Sequence, residues 1–403
     1  MPCNLTIHTG KVLLPWWGTP PQPDDPAVAM KKYLSDQFEL SRGGGAHNVR
    51  PMEGLRGFAV FLVFLVHYTT LVKPWVTNLP TLALASAIHT IGNTGVDLFF
   101  VLSGYLIYGS LIERPQNFFK FMSRRIARIY PTFTVVFAIY VTLSLAMLDE
   151  NKIPANFREG LIYLVQNFLL LPGLFPIEPM ITVAWSLSYE MFYYLVIPLM
   201  IGLLKLRVRT SAWRVGFFLI LAAAIVVSCG ATGGLIRLVM FISGVLLCET
   251  LKNGKSLPKS NFFGAIALIT GLLATLIPLG GWVGTTVRIS VLFVSYYIFC
   301  WACFQDSRGL LPTVFSWTPL RWLGNMSYSY YLLHGLALNA AFLALAAVVP
   351  EKNNQSEIFW ALLPIMFVTT LIPSAVLFLA VERRFSLTPQ PSKIGLPNLT
   401  HAN

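Results

Sequence analysis

Ten apolar stretches of about 20 residues run through this chain, and they constrain its fold more than any other feature. A bilayer core is about 30 Å thick, and about 20 apolar residues are needed to cross it as a helix. Helices of this kind satisfy their own backbone polar groups in lipid. The sequence therefore predicts an all-α, polytopic integral membrane protein with about ten transmembrane helices. The predicted spans are 57–76, 94–112, 131–148, 184–204, 213–229, 235–251, 262–280, 287–304, 328–349 and 358–380.

Composition and charge agree with this interpretation. Of the residues, 55% are hydrophobic and only 11% are charged, and the net charge is +12. If the N-terminus is inside, the cytoplasmic segments hold 23 of the 29 Lys and Arg residues, as the positive-inside rule requires. We therefore predict that both termini are cytoplasmic. Because the basic residues are dispersed among short loops, we expect them to contact membrane lipids and not nucleic acid.

The two ends of the chain differ from the membrane region. Residues 1–50 are predicted to be a cytoplasmic tail, with five prolines between Pro15 and Pro26 and a flexible link at the three glycines 43–45. Residues 51–385 form the predicted transmembrane domain, and residues 386–403 a second cytoplasmic tail. The N-terminus has no signal-peptide pattern, so we expect the first span to direct membrane insertion.

The first span carries a histidine, His67, near its centre. Burial of a polar group in hydrocarbon costs free energy unless the group has a partner. Arg56 lies eleven residues earlier, on the same helix face and about 16 Å away. A neutral imidazole in this setting is suited to remove a proton from a hydroxyl. The alternatives are a hydrogen-bonded packing role for His67 and an interfacial anchor role for Arg56.

A basic segment, NFFKFMSRRIARIYP, precedes the third span. Arg124 and Arg128 are one turn apart, and aromatic and apolar residues lie between the basic ones, so we expect an amphipathic helix on the inner leaflet. Pro131 is expected to begin the next span, where its missing amide is harmless. The two guanidinium groups are either a positive-inside anchor or a clamp for the diphosphate of a nucleotide-bearing cofactor.

Three further spans carry polar side chains that need partners. Asp97 lies near the outer end of the second span, and its expected partner is an Arg or a His. Glu190 lies about two turns into the fourth span and shares a face with Tyr193 and Tyr194. Tyr330 and His334 belong to a polar stripe on the ninth span. For each of these groups, a structural pair and a functional site remain alternatives.

These segments occur in the order typical of the membrane-bound acyltransferase-3 family, and the chain resembles that family over about residues 50–385. The segments are PMEGLRGFAVFLVFLVHY, GVDLFFVLSGYLI, FMSRRIARIYP, WSLSYEMFYYLVIPL, LGNMSYSYYLLHG and VERRF. The resemblance implies a ten-helix enzyme that moves an acyl group, usually acetyl, from cytoplasmic acyl-coenzyme A to a hydroxyl of a carbohydrate or other acceptor. It also implies a bacterial cytoplasmic membrane.

The resemblance assigns residues as well. Its Arg-x10-His pattern falls on Arg56 and His67, its Arg-x3-Arg pattern on Arg124 and Arg128, and its acidic positions on Asp97 and Glu190.

The expected mechanism follows from these assignments. His67 removes the acceptor proton, and Glu190 or Asp97 orients its imidazole. Three arginines bind acyl-coenzyme A, no metal is required, and three further side chains contact the acceptor. The arginines are Arg56, Arg124 and Arg128, and the acceptor contacts are Tyr193, Tyr330 and His334. This mechanism needs a cavity that links His67 to the basic cytoplasmic rim.

Other functions remain open at this point. An acyl-enzyme intermediate on His67 would replace direct transfer and give ping-pong kinetics. A transporter or flippase could use the intramembrane charged residues as a substrate or proton path, although no paired broken helices are visible. A sensor that has lost activity is the third alternative.

Overall fold

A computed structural model describes residues 26–40, 49–147, 151–232, 235–305, 309–349 and 357–387. Within these ranges the chain is helical, apart from turns, loops and one isolated bridge between Pro172 and Phe175. The prediction of an all-α protein is confirmed. Most of the predicted N-terminal tail, including its proline-rich part and the three glycines, lies outside the described residues, and so does the predicted C-terminal tail beyond Leu387.

Fifteen α-helices are described, and several short 3-10 turns join them. The first helix belongs to a separate unit, Met1–Leu40, and the others to the unit Ser41–Asn403. The helices are α1 Pro26–Phe38, α2 Val49–Leu71, α3 Leu79–Gly92, α4 Thr94–Glu113, α5 Phe118–Ala146, α6 Phe157–Phe168, α7 Trp185–Leu203, α8 Ser211–Thr232, α9 Val239–Lys252, α10 Ser260–Ala274, α11 Gly281–Gln305, α12 Leu310–Phe315, α13 Thr318–Asn325, α14 Ser327–Ala346 and α15 Glu357–Leu377. A π-helical segment, Phe378–Ser386, follows α15.

Eight segments of the described chain are long and apolar enough to cross a bilayer. They correspond to α2, the continuous run of α3 and α4, α5, α7, α8, α11, α14 and α15. The other two predicted spans, 235–251 and 262–280, are the shorter helices α9 and α10, of 14 and 15 residues. Every residue of α9 from Val239 to Thr250 is buried. Packing against α4, α8 and α11 explains its apolar composition without a full crossing.

Two helices begin earlier than the hydrophobic pattern indicates. Helix α2 begins at Val49, in the polar segment before the apolar run, and ends at Leu71. His67 therefore lies in the last turns of α2. Helix α5 begins at Phe118 and continues through Pro131, so the amphipathic segment and the third span are one helix of 29 residues. A proline is tolerated inside a membrane helix because neighbouring groups satisfy the freed carbonyl.

Helices α4 and α9 cross at two glycines. A Cβ atom at Gly104 would lie 2.1 Å from the backbone oxygen of Phe241, and one at Gly244 would lie 2.0 Å from that of Val101. Even one methyl group at either position would therefore force the two backbones apart. The two glycines therefore allow a close approach of α4 and α9, as small residues do between membrane helices.

Buried ion pairs join other helices. Arg321 of α13 donates to Glu53 of α2 at 3.0 Å, and both side chains are buried. Arg214 of α8 donates to Glu249 of α9 at 2.8 Å, and the hydroxyl of Tyr108 also donates to this carboxylate. Removing one member of such a pair would leave an uncompensated charge inside the protein, so these pairs fix which helices are neighbours.

The glycine contact gives a test of the fold. Substituting Gly104→Ala should destabilise the protein by about 1–3 kcal/mol, because the new methyl group overpacks the α4–α9 contact. Gly202 of α7 is the matched control, since nothing lies within 4 Å of a Cβ built there. Gly202→Ala should leave stability unchanged or raise it by up to about 1 kcal/mol, as expected for alanine in a helix. Thermal unfolding in detergent measures both variants, and equal stability of the two would contradict the close contact.

Candidate functional site

Residues of five helices line one cavity, with a volume of about 120 Å³, and among them are the predicted site residues Arg56, Arg128 and Glu190. We call it the arginine cavity, because Arg56 of α2 and Arg125 and Arg128 of α5 line it. Its other lining residues come from α4, α7 and α14 and combine apolar with hydroxyl and carboxylate side chains. The polar ones are Ser103, Ser186, Glu190, Tyr194, Ser327, Tyr328 and Tyr331.

Two of the three arginines are held by partners on other elements. Arg56 donates through Nε and Nη2 to the Ser327 hydroxyl, at 3.2 and 2.9 Å, and so joins α2 to α14. Arg128 Nη2 lies 3.2 Å from Oε1 of Glu382, in the π-helical segment. Glu382 is fully buried and also accepts from the amide and hydroxyl of Ser329, at 3.0 and 2.7 Å. Glu382 was not among the predicted site residues, and its position in the VERRF segment is the signal that could have found it.

The third arginine of the cavity is Arg125 and not the predicted Arg124. Arg124 is exposed and donates to Gln116. Arg125 lies over the rings of Phe121 and Tyr194, 5.1 and 5.2 Å from their centroids. Neighbouring residues of a helix differ by about 100° in direction, so only one of the two arginines can face α7. The structure therefore does not bring Arg124 to the predicted cofactor site.

Glu190 of α7 faces the arginine cavity and is held by two hydroxyls. Tyr194 donates to it at 2.5 Å, and Ser103 of α4 donates at 3.4 Å. The predicted acceptor contact Tyr193 faces another direction: its hydroxyl donates to the Leu238 backbone at 2.7 Å, and its ring is buried. Of the two neighbouring tyrosines, Tyr194 belongs to the site, and the sequence offered no way to choose between them.

His67 lines a second cavity, of about 340 Å³, which we call the histidine cavity. The same three helices, α2, α5 and α14, contribute to both cavities. Their early residues line the arginine cavity, and their late residues line the histidine cavity. The two cavities therefore lie towards opposite ends of the helix bundle. The polar residues of the histidine cavity include Thr70, Tyr140, Ser144, Lys152, Thr182 and Asn339.

A thin wall separates these two cavities. The Tyr331 hydroxyl, on the arginine side, forms a hydrogen bond of 2.7 Å with Ser186 and donates to the Val183 carbonyl at 3.1 Å. Val183 in turn lines the histidine cavity. His334 is fully buried in the same region and lines neither of the two cavities. Neither cavity contains both His67 and the arginines, so this structure does not show the continuous passage that the predicted mechanism needs.

Two predicted acceptor contacts are buried beside this wall. The Tyr330 hydroxyl forms a hydrogen bond of 2.7 Å with Thr370 of α15. The His334 ring contacts that of His67, with centroids 5.0 Å apart and ring planes at 71°. The structure therefore places His334 against the predicted base and not on the surface of the arginine or the histidine cavity.

Asp97 lines a third cavity, of about 910 Å³, together with residues of α3, of α11, of the 3-10 turn Ile236–Leu238 and of the segment that follows α10. Its Oδ2 atom is 3.5 Å from Nη2 of Arg237, which lies over the Trp185 ring at 5.6 Å. The expected arginine partner is therefore present. Asp97 does not share a cavity with His67 or Glu190, and this arrangement favours a structural ion pair over the orientation of an imidazole.

The described residues contain no group of three or more His, Cys, Asp or Glu side chains arranged to hold a metal ion. Cys300 and Cys303, the CxxC pair of α11, are buried free thiols.

Residues 51–379 match the profile of the acyltransferase-3 family, which is described as an acyltransferase domain. The chain belongs to the acyltransferase-3 family. The match covers most of the helical unit, including α2, α4, α5, α7 and α14, which build the arginine cavity. With its long apolar helices, this member of the family is an integral, multi-pass membrane protein.

Several proteins resemble this acyltransferase-3 member. "Acyltransferase MdmB" of Streptomyces mycarofaciens is 24% identical over 391 residues, which cover 87% of this chain and 97% of that protein. "Putative peptidoglycan O-acetyltransferase YrhL" of Bacillus subtilis is 25% identical over 366 residues, which cover 80% of this chain and 52% of that protein. "O-acetyltransferase OatA" of Staphylococcus aureus is 30% identical over 172 residues, which cover 39% of this chain and 25% of that protein.

The chain spans about half the length of the Bacillus subtilis relative. No solved structure matches it.

The Asp97–Arg237 pair gives a test that separates a structural role from a catalytic one. Asp97→Ala should lower thermal stability, because it leaves Arg237 without its carboxylate partner. The double variant Asp97→Ala/Arg237→Ala should recover part of this loss, with a coupling free energy of about 0.5–3 kcal/mol. An Asp97→Ala protein of unchanged stability and no activity would contradict the structural role.

Proposed function

We propose that this protein is a membrane-bound O-acyltransferase that moves an acyl group, acetyl in the simplest case, from acyl-coenzyme A to a hydroxyl of a carbohydrate or other acceptor. The arginine cavity is the observation that carries this proposal. Family membership supports acyl transfer as the reaction class, and the names of the Bacillus and Staphylococcus relatives support O-acetylation. The protein acts in the bacterial cytoplasmic membrane under this proposal.

The donor binds in the arginine cavity. Acyl-coenzyme A carries a diphosphate and a ribose phosphate, and guanidinium groups bind such groups through paired hydrogen bonds. Arg56, Arg125 and Arg128 bring three guanidinium groups to one cavity. Arg125 contacts aromatic faces and forms no ion pair among the described residues, so it can bind a phosphate without breaking an existing pair. By the positive-inside distribution, this end of the bundle faces the cytoplasm, where the donor is found.

The acceptor binds in the histidine cavity, at the opposite end. Hydroxyl, amide and ammonium groups around His67 are of the kinds that bind carbohydrate hydroxyls, and the volume of about 340 Å³ leaves room for part of a sugar chain. His67 removes the proton of the attacking hydroxyl as the C–O bond forms and the C–S bond breaks. The proton then passes to the departing thiolate, and no metal is needed.

The wall between the cavities must move or be bridged during this reaction. The Tyr331–Ser186 hydrogen bond is the contact that a thioester arm would meet as it extends from the arginine cavity towards His67. Two routes satisfy this geometry. In direct transfer the arm displaces the wall, and in the second route an acyl group resides on His67 between two half-reactions.

A transporter remains the second candidate, because cavities at opposite ends of a bundle with a wall between them are also what alternating access requires. Purified protein in liposomes, given acetyl-coenzyme A labelled in the acetyl group and a polysaccharide acceptor, separates the two functions. Loss of thioester with labelled acceptor supports the enzyme. Movement of substrate across the bilayer without covalent change would overturn the proposal that the protein is an acyltransferase.

Substituting His67→Ala should lower the rate of acyl transfer by about 10²–10⁴-fold, the usual contribution of a general base. The Michaelis constant for acetyl-coenzyme A should stay the same, since His67 does not line the arginine cavity. Steady-state kinetics on folded protein measure both quantities. Activity within tenfold of the wild type would remove His67 from the mechanism.

A second pair of variants tests the donor site. Arg125→Lys keeps the charge but loses the paired hydrogen bonds, so the Michaelis constant for acetyl-coenzyme A should rise about tenfold, for a loss of about 1.4 kcal/mol. Arg124→Lys is the matched control, because Arg124 is the exposed neighbour on the same helix. The Michaelis constant of Arg124→Lys for acetyl-coenzyme A should remain within twofold of the wild-type value. Equal effects of the two substitutions would contradict the assignment of Arg125 to the donor site.

A further inference from the structure

The tautomer of His334 is determined by its backbone contacts. Nδ1 lies 2.9 Å from the carbonyl oxygens of both Tyr330 and Tyr331. Carbonyl oxygens only accept hydrogen bonds, so Nδ1 must carry a proton. A second proton would place a charge in a fully buried ring, and burial strongly disfavours that form. His334 is therefore the neutral Nδ1–H tautomer, and its Nε2 atom presents a lone pair.

That lone pair has no hydrogen-bond partner among the described residues. A buried acceptor without a partner costs about 1–3 kcal/mol. The His334 ring is also held firmly in place, because the Tyr330 ring stacks on it with centroids 5.3 Å apart and planes at 7°. The Tyr330 hydroxyl is held in turn by Thr370. The structure thus holds His334 Nε2, an acceptor without a hydrogen-bond donor, in a fixed orientation.

The ring of His67 packs against that of His334 and has room to adjust. The two centroids are 5.0 Å apart, and the planes are at 71°. His67 is only partly buried and lines a cavity of about 340 Å³, whereas His334 is fully enclosed. The cavity therefore leaves space for the His67 side chain to rotate against the fixed His334 ring. Catalytic hydrogen bonds are often long or misaligned before substrate binds.

We propose that His334 is a positioning residue, whose Nε2 accepts a hydrogen bond from His67 during acyl transfer. Once one His67 nitrogen donates to His334, the other nitrogen must carry the lone pair that receives the acceptor proton. His334 then does for His67 what an orienting carboxylate does for a catalytic histidine, but as a neutral group. This inference rests on the proposed function. It also replaces the predicted role of His334 as an acceptor contact.

Two polar substitutions distinguish the roles of the two ring nitrogens of His334. The amide of glutamine ends three bonds from Cβ, as Nε2 does, so His334→Gln can supply an acceptor in the right place. The amide of asparagine ends two bonds from Cβ, as Nδ1 does, so His334→Asn can preserve the backbone contacts but not the acceptor. We expect kcat of His334→Gln to stay within about tenfold of the wild type and kcat of His334→Asn to fall by at least about a further tenfold.

Both Michaelis constants should stay within twofold of the wild type in either variant, because His334 lines neither the arginine nor the histidine cavity. Rates are normalised to folded protein, which thermal unfolding quantifies. Asparagine retaining more activity than glutamine would overturn the proposal, since the backbone contacts would then be what matters. Equal kcat in the two variants would overturn it too, and so would a selective rise in the Michaelis constant for the acceptor.

The His67→Ala background distinguishes this proposal from the proposed function. If His334 acts through His67, His334→Asn should not lower the residual rate of His67→Ala any further. A further loss in the double variant would overturn the positioning role and leave His67 as the base. If His67→Ala itself keeps wild-type activity, the proposed function fails first, whatever His334 does.

Discussion

The cost of burying a charge away from water is the constraint on which the rest of the structure depends, because each buried charge needs a partner. Glu53, Glu249, Asp97 and Glu382 all meet this requirement through an arginine on another element. The pairs fix the neighbours of each helix. Against that background, the groups that lack such a partner stand out. Arg125 is held by aromatic faces, and the His334 ring has a nitrogen without a hydrogen-bond partner among the described residues.

The arrangement of the cavities follows from the direction of the helices. Helices α2, α5 and α14 run the same way through the bundle, so each supplies residues to the arginine cavity near its beginning and to the histidine cavity near its end. A charged donor and a hydroxyl acceptor can then approach from opposite ends and meet at the wall beside Tyr331. Such an arrangement suits transfer between a donor on one side of a membrane and an acceptor on the other, without a polar channel through the bilayer.

The sequence predicted the features that depend on one helix at a time. The length of the apolar stretches predicted the long helices, and the resemblance of the motifs indicated the family. Pairings between helices could not be predicted in this way. The direction of Arg125, and not Arg124, towards the cavity depends on how α5 docks against Tyr194, and the choice between Tyr193 and Tyr194 depends on the position of α9.

Helix ends were the other source of error. The apolar run gave a first span that begins at residue 57, whereas α2 begins at Val49 because a helix can continue into polar sequence beyond the hydrocarbon. His67 therefore lies near the C-terminal end of α2, while its place within the apolar run is unchanged. The partner of Asp97 was predicted by type, an Arg or a His, but its identity as Arg237 required the fold.

A structure of the protein with a non-hydrolysable thioether analogue of acetyl-coenzyme A tests the central claim most directly. The account predicts that the diphosphate lies within hydrogen-bond distance of Arg125 and Arg128, with the thioether end directed towards Tyr331. Phosphates bound elsewhere, for example beside Arg237 in the cavity that contains Asp97, would contradict it, as would an arginine cavity left empty at saturating analogue.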